Sequence, residues 1–210
     1  MPELAFECIS AHPDAAAASP TITLRLQITE STGTPVHALA LRSQVRIEPL
    51  RRRYDDTEAQ AMQDLFGERG RWGETLKPLQ LAFVNQVVPS FTDSTEIDVS
   101  LPCSYDFEVA ANKYLYSLAD GEVPLLMLFS GTVFTAEGNG FSVSLVPWDL
   151  EARFRLPVAV WKQAMQLHFP GTAWLRLGQD TFDALYRYRA AEQLTGWDDA
   201  IERLLKQAGQ

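Results

Sequence analysis

The sequence is short of the residues that bind metals and staple small folds. Its 210 residues include two cysteines, Cys8 and Cys103, and three histidines, His12, His37 and His168. Two distant cysteines make no disulfide framework, so both are expected as buried free thiols. No histidine pair has ligand spacing, and no metal or organic cofactor is expected. Positive charge is scarce as well: 18 Lys and Arg stand against 27 Asp and Glu, a net charge of −9. Binding to phosphates requires cations that displace counterions, so no nucleic-acid partner is expected. The longest apolar run, Leu125 to Phe129, is far short of the roughly 20 residues of a membrane helix, and no membrane insertion is expected. The start, Met1-Pro2-Glu3-Leu4, lacks a basic n-region and an apolar h-region, which makes the cytoplasm the expected compartment.

Apolar residues are nonetheless 46% of the chain and charged residues 21%, which excludes a disordered polypeptide. The negative charge is concentrated. Residues 89–151 hold ten acids (Asp93, Glu96, Asp98, Asp106, Glu108, Asp120, Glu122, Glu137, Asp149 and Glu151) and one base, Lys113. One acidic surface is expected there, with Arg42, Arg46 and Arg51 to Arg53 on a separate basic patch.

The hydrophobic period changes along the chain. Ile22, Leu24, Leu26 and Ile28 alternate with Thr23, Arg25 and Gln27, the period of a strand with one wet face. The same alternation predicts strands over 4–9, 36–47, 81–88, 95–101, 141–146 and 150–156, and a buried strand over 123–135. Glu137-Gly138-Asn139-Gly140 is the expected hairpin turn between the last long strand and the segment in which Phe141, Val143 and Leu145 alternate with serines. Short helices are expected near 55–66, with Asp55 as cap and Glu58 completing a capping box, and near 107–118. From Pro157 onward the period is helical, predicting helices over 157–168, 180–193 and 198–207. Runs of strands followed by helices imply an α+β fold: an antiparallel β-sheet core, sandwich-like in one reading, with C-terminal helices packed on one side or end. The expected organisation is a mainly β region, 1–156, and a helical segment, 157–210, within one structural unit. The helix at 157–168 should be buried on the sheet and the last helix should be more peripheral.

No catalytic motif emerges. Asp106 with Glu108, and Asp149 with Glu151, share a face only if extended, and paired acids work only inside a cleft. Gly131, Gly138 and Gly140 follow no phosphate-binding pattern, and no nucleophile elbow occurs. Aromatic residues are the more informative feature. Tyr186 and Tyr188 fall on different faces of one helix, and Trp197, Ile201 and Leu205 lie along the last helix. Exposed aromatics mark protein interfaces, so these five residues are the candidate interface.

Two resemblances add to this reading. Pro35-Val36-His37-Ala38-Leu39-Ala40-Leu41-Arg42, Leu65-Phe66-Gly67, Tyr105 to Ala111, Leu128 to Phe134 and Leu156 to Trp161 resemble an uncharacterised bacterial family associated with actinobacterial-type nickel–iron hydrogenase gene clusters. That resemblance implies an accessory protein whose partner is a hydrogenase subunit or maturation factor, and it implies no catalytic residue. Pro157, the amphipathic helix with Met165, Phe169-Pro170, Leu175 and Leu177, and Phe182 to Leu185 followed by Tyr188 are similar to the C-terminal part of the SecB export chaperone. This implies, as the alternative to a sandwich, a SecB-like core in which the helices pack on one antiparallel sheet, and a protein that holds another polypeptide, with homo-oligomer formation as a further expectation. The function expected from both is a non-enzymatic accessory or chaperone-like protein-binding component. The alternatives are a structural subunit of a larger complex and an undetected hydrolase.

Overall fold

Each alternating segment becomes a strand. The computed structural model describes residues 2–103, 109–137, 140–173 and 175–209. β1 (Leu4–Pro13), β2 (Thr21–Glu30) and β3 (Val36–Ile47) open the chain. Two short helices follow, α1 (Asp56–Ala61) and α2 (Gln63–Phe66), then a single turn, α3 (Trp72–Thr75). β4 (Leu79–Val88), β5 (Ser94–Pro102), α4 (Ala110–Tyr116), β6 (Glu122–Glu137), β7 (Gly140–Leu145) and β8 (Glu151–Pro157) come next. The helices α5 (Val158–His168), α6 (Gln179–Ala191) and α7 (Trp197–Gln207) end the chain. The expected helix near 107–118 is seen from Ala110; its first residues lie outside those described.

The protein is an α+β fold with antiparallel sheets and C-terminal helices. One sheet has the order β1-β2-β5; the other runs β4-β3-β6, with β7 and β8 both paired to β6. β8 takes residues 122–128 of β6 and β7 takes residues 132–137, so the two lie in succession along one edge of that long strand. The partition is that of an immunoglobulin-like sandwich in which the fourth strand has joined the third, sixth and seventh. Of the two architectures open from sequence, the strands take the two-sheet one. Ile22, Leu24, Leu26 and Ile28 of β2 are sealed from solvent, as are Leu39, Val45 and Ile47 of β3. Phe6 of β1 stacks on Phe129 of β6 with ring centroids 4.2 Å apart, one contact that joins the sheets. Gly131 is required where β6 passes β3: at φ 155° its missing Cβ would stand 2.1 Å from the Ala40 carbonyl oxygen.

The chain separates into two compact units after Ala173, later than the change of period at 156. The reason lies in α5. Its Val158, Trp161, Ala164 and Met165 are buried, and it packs against β1, β2 and β8, so it belongs to the core of the sandwich unit. The second unit contains α6 and α7. Trp197 meets Phe182 and Tyr186 with ring centroids 5.5 and 6.2 Å away, and the Arg189 guanidinium lies 4.0 Å from the Trp197 ring centre. A 2.5 Å ion pair between Arg203 and Glu192 supports the same helix pair.

The expected charge segregation does not form. Glu96 and Asp98 of β5 pair with Arg25 of β2 across the strand ladder, Glu122 pairs with Arg155, and Glu151 with Arg153. Antiparallel register brings Arg25 beside Glu96 and Asp98, and Arg155 beside Glu122, whereas Glu151 and Arg153 are neighbours on one face of β8. The three-arginine run is also divided. Arg51 pairs with Glu48, while Arg52 turns inward to Glu58. Asp106 and Glu108 lie outside the described residues.

Candidate functional site

Three features of the surface were compared as sites. The first is the outer face of the β4-β3-β6-β7 sheet. Register decides what it carries. Leu39, Leu41, Ser43, Val45 and Ile47 of β3 point into the sandwich, so Ala40, Arg42, Gln44 and Arg46 point out. Ala40 pairs with Val87 of β4 and Thr132 of β6; Gln44 pairs with Phe83 and Leu128. Thr132 and Phe134 then pair with Leu145 and Val143 of β7, and Ala136 with Phe141. The serines of β7 therefore take the inner side and its apolar residues the outer one. Phe83, Val87, Phe141, Val143 and Leu145 are all more than half exposed; Leu145 reaches 72% and Trp148, just beyond β7, 90%. Burying one Val, Leu or Phe is worth roughly 1.5–3 kcal/mol; Phe83 and Val87 stand on β4 and the other three strand residues on β7, with β3 and β6 between the two groups.

Two local features shape this face. The Arg42 guanidinium lies 4.9 Å from the Phe83 ring centre, and His37 packs on Phe141 at 4.6 Å. Shallow depressions of about 250 and 300 Å³ flank Arg42, one lined by Phe83, Leu128 and Trp148, the other by Ala40, Asn85 and Val87. A sheet face that presents arginine among exposed aromatic and aliphatic side chains suits a protein surface, where arginine and aromatics are enriched.

The second feature is a cavity of about 720 Å³ in the sandwich unit, bordered by α1, the segment after α4, and α5. Its size suits a small molecule. Its polar groups are already engaged. Glu58 accepts from the Ala119 amide at 3.0 Å and from both Arg52 Nη atoms at 2.6 and 2.8 Å. Lys162 Nζ donates to the Ala119 carbonyl at 2.6 Å, and Ser117 Oγ to that of Lys113 at 2.8 Å. The Trp161 indole N–H has no partner, but the atom is sealed from solvent. These bonds tie α1 and α5 to the start of β6, and none of them assigns a catalytic group.

The third feature comprises the residues singled out from sequence. Tyr186 and Trp197 come together in the aromatic cluster of α6 and α7, and Tyr186 stays half exposed. Ile201 and Leu205 lie exposed along α7 beside Leu204. Tyr188 is only partly exposed, and its hydroxyl is buried without a partner. The sheet face was not among these candidates. Its signal was the alternation Phe141-Ser142-Val143-Ser144-Leu145, which puts the three apolar residues on one face without saying which face is wet.

Other chemistry-bearing residues are dispersed. Among the described residues, no three His, Cys, Asp or Glu side chains gather to hold a metal ion. Cys8 and Cys103 are buried free thiols, each pushed up to about 12 by burial. Among the described residues, no helix is long and apolar enough to cross a membrane.

The whole chain, residues 1–210, matches DUF6084, a family of unknown function, and belongs to it. No curated protein matches it by sequence. Among solved structures, it is similar to β-glucosidase 3B from Thermotoga neapolitana, at 12% identity and a TM-score of 0.28, over 73% of this chain and 17% of that one. It is similar also to the putative ApaA protein from Bordetella pertussis, at 12% identity and a TM-score of 0.29, over 74% of this chain and 93% of that one. The chain spans about a sixth of the length of the glucosidase it matches.

Proposed function

We propose that this DUF6084 protein is a non-enzymatic accessory component that docks another protein on the outer face of its β4-β3-β6-β7 sheet. The observation that carries the reading is the exposure of large apolar side chains at both edges of that face, Phe83 and Val87 on β4 and Phe141, Val143 and Leu145 on β7, with Trp148 just beyond β7. A chaperone that holds unfolded clients would present a long apolar groove; the exposed residues here stand on the outer face of one sheet, and a folded partner held in a fixed complex is the reading taken. The resemblance of Leu128 to Phe134 and of the other phrases to a hydrogenase-associated family makes a hydrogenase subunit or maturation factor the first partner to test. The cytoplasm is the compartment in which it would act.

The experiment is co-purification of the tagged full chain from native cells, followed by mass spectrometry, for wild type, Val87→Glu and Phe141→Glu. Both variants should lose the wild-type partner while remaining folded. A partner that survives both, yet is lost in Ile201→Glu or Leu205→Glu, would move the interface to α7 and overturn this reading.

A further inference from the structure

A sheet edge offers unpaired backbone groups, and proteins blunt such edges with charge, proline or a bulge. Five strands of this sandwich lie at an edge: β1, β5, β4, β7 and β8. β1 has a register shift between Cys8 and Ser10 and ends at Pro13. β4 is bulged opposite Val45 and Arg46. β5 carries Glu96, Asp98 and Pro102, and β8 carries Glu151, Arg153, Arg155 and Pro157. β7 carries none of these devices: its register with β6 is unbroken from Leu145 to Gly140. From Gly140 to Val146 the sequence reads Gly-Phe-Ser-Val-Ser-Leu-Val, without a charge or a proline, in a chain of net charge −9.

The open edge of β7 can be read residue by residue. The Val146 amide donates to the Gly131 carbonyl of β6 at 3.0 Å. Antiparallel bonding alternates along a strand, so Ser142 and Ser144 also turn their backbone groups to β6. The N–H and C=O groups of Phe141, Val143 and Leu145 then point away from the sheet. These are the same three residues whose side chains stand exposed on its outer face.

We propose that two copies of this chain pair through β7, antiparallel about a two-fold axis at Val143, and join their sheets into one. The occupant is argued from the strand itself. Phe-Ser-Val-Ser-Leu reads nearly the same in both directions in size and polarity. Pairing about Val143 sets valine against valine, serine against serine and Phe141 against Leu145, the self-complementarity that an isologous interface requires. The neutrality of the segment lets two strongly acidic chains meet there without like charges opposed. An axis perpendicular to the sheet keeps both outer faces on one side, so the two apolar rows become a single wider platform. The pairing does not depend on the docking role proposed above, since it uses the backbone edge and that role uses the side-chain face.

Val143→Pro isolates the edge. It removes an N–H that makes no bond to β6, and proline is tolerated at such edge positions. Sedimentation equilibrium of the full wild-type chain should show a monomer–dimer equilibrium. In Val143→Pro the dissociation constant should rise on the order of tenfold or more, since symmetry removes the bond twice. Val143→Lys, which opposes two ammonium groups at the axis, should act in the same direction. Hydrogen exchange supplies a readout free of substitution: the amides of Phe141, Val143 and Leu145 should gain protection as wild-type concentration rises. A wild type that stays monomeric with those amides unprotected overturns the proposal. So does a dimer that folded Val143→Pro and Val143→Lys leave intact. Val87→Glu, remote from the edge, separates the two ideas: loss of partner with the dimer retained supports both, and an unchanged partner with an edge-dependent dimer rejects the docking face alone.

Discussion

Arg52 and Glu58 meet face to face inside the sandwich unit, Nη1 to Oε2 at 2.6 Å and Nη2 to Oε1 at 2.8 Å, with side chains only 10% and 6% exposed. The pairing explains two departures from the sequence reading. Glu58 stands where a capping-box glutamate would, three residues after Asp55. The cap itself forms, with Asp55 Oδ1 accepting from the Glu58 amide at 2.8 Å, but the Glu58 carboxylate is given to Arg52. Arg52 in turn reaches the carbonyls of Asp120 and Glu122, so the central member of a run that reads as solvated charge ties β6 to α1.

Removing one partner of a buried pair strands the other charge. Glu58→Leu or Arg52→Met should therefore destabilise the protein by about 3–5 kcal/mol. Replacing both together, Arg52→Met with Glu58→Leu, should cost less than the sum of the single changes. Urea unfolding of the three variants checks this through the coupling between them.

Trp161 is the largest side chain that α5 buries, at 4% exposure. Trp161→Ala should cost about 3–5 kcal/mol, the range for deleting a large buried aromatic. Trp161→Phe should cost much less, because the indole N–H has no hydrogen bond to lose. Thermal melting of both variants compares the two.

His168 closes α5 onto the loop between β1 and β2. Its two ring nitrogens face the carbonyls of Ala17 and Ala164 at 2.9 and 3.1 Å. Two acceptors favour the doubly protonated ring, so its pKa lies above the ordinary histidine value, chiefly through the bond to Ala17. A raised folded pKa stabilises the protein below about 6.5 and loses that contribution as pH rises through the folded value. Stability should fall across that interval in wild type and vary less in His168→Gln. Melting temperatures from about pH 5 to about pH 8, the span in which a histidine changes charge, report it.

Glu30 shows the opposite sign. Its carboxylate accepts from the Thr32 hydroxyl at 2.6 Å and from the amides of Glu3, Thr32 and Thr34. These bonds, led by the Thr32 hydroxyl, hold its pKa down to about 2. Its stabilisation is present above the ordinary carboxylate value near 4.5 and is lost as pH falls toward 2. Glu30→Gln should be less stable at neutral pH and should lose part of the wild type's sensitivity to acid over that window, as followed by circular dichroism.

Thiolate is the reactive form of cysteine, and both thiols are pushed up to about 12 by burial. Neither Cys8 nor Cys103 should react with a thiol reagent at pH 8 in the native protein, and both should react in denaturant. Rapid native labelling of either would contradict their placement in the core.

Period decided most of what was legible in the chain. Alternation located the strands other than β6, because a strand with one buried face must repeat every two residues, and β6 was located by its near-continuous apolar run, as a strand buried on both faces reads. The Asp55 cap and the burial of α5 were readable for the same local reason: capping and helical stripes are written within a few residues of themselves. Pairing decided the rest. Nothing local to Arg52 distinguishes it from Arg51, and only the approach of α1 and β6 turns it inward. Nothing local to Phe141, Val143 and Leu145 says that the serines between them face the core; that follows from the register of β7 on β6. The platform and the open edge are therefore properties of strand neighbours far apart in sequence, whereas the strands themselves are properties of the sequence alone.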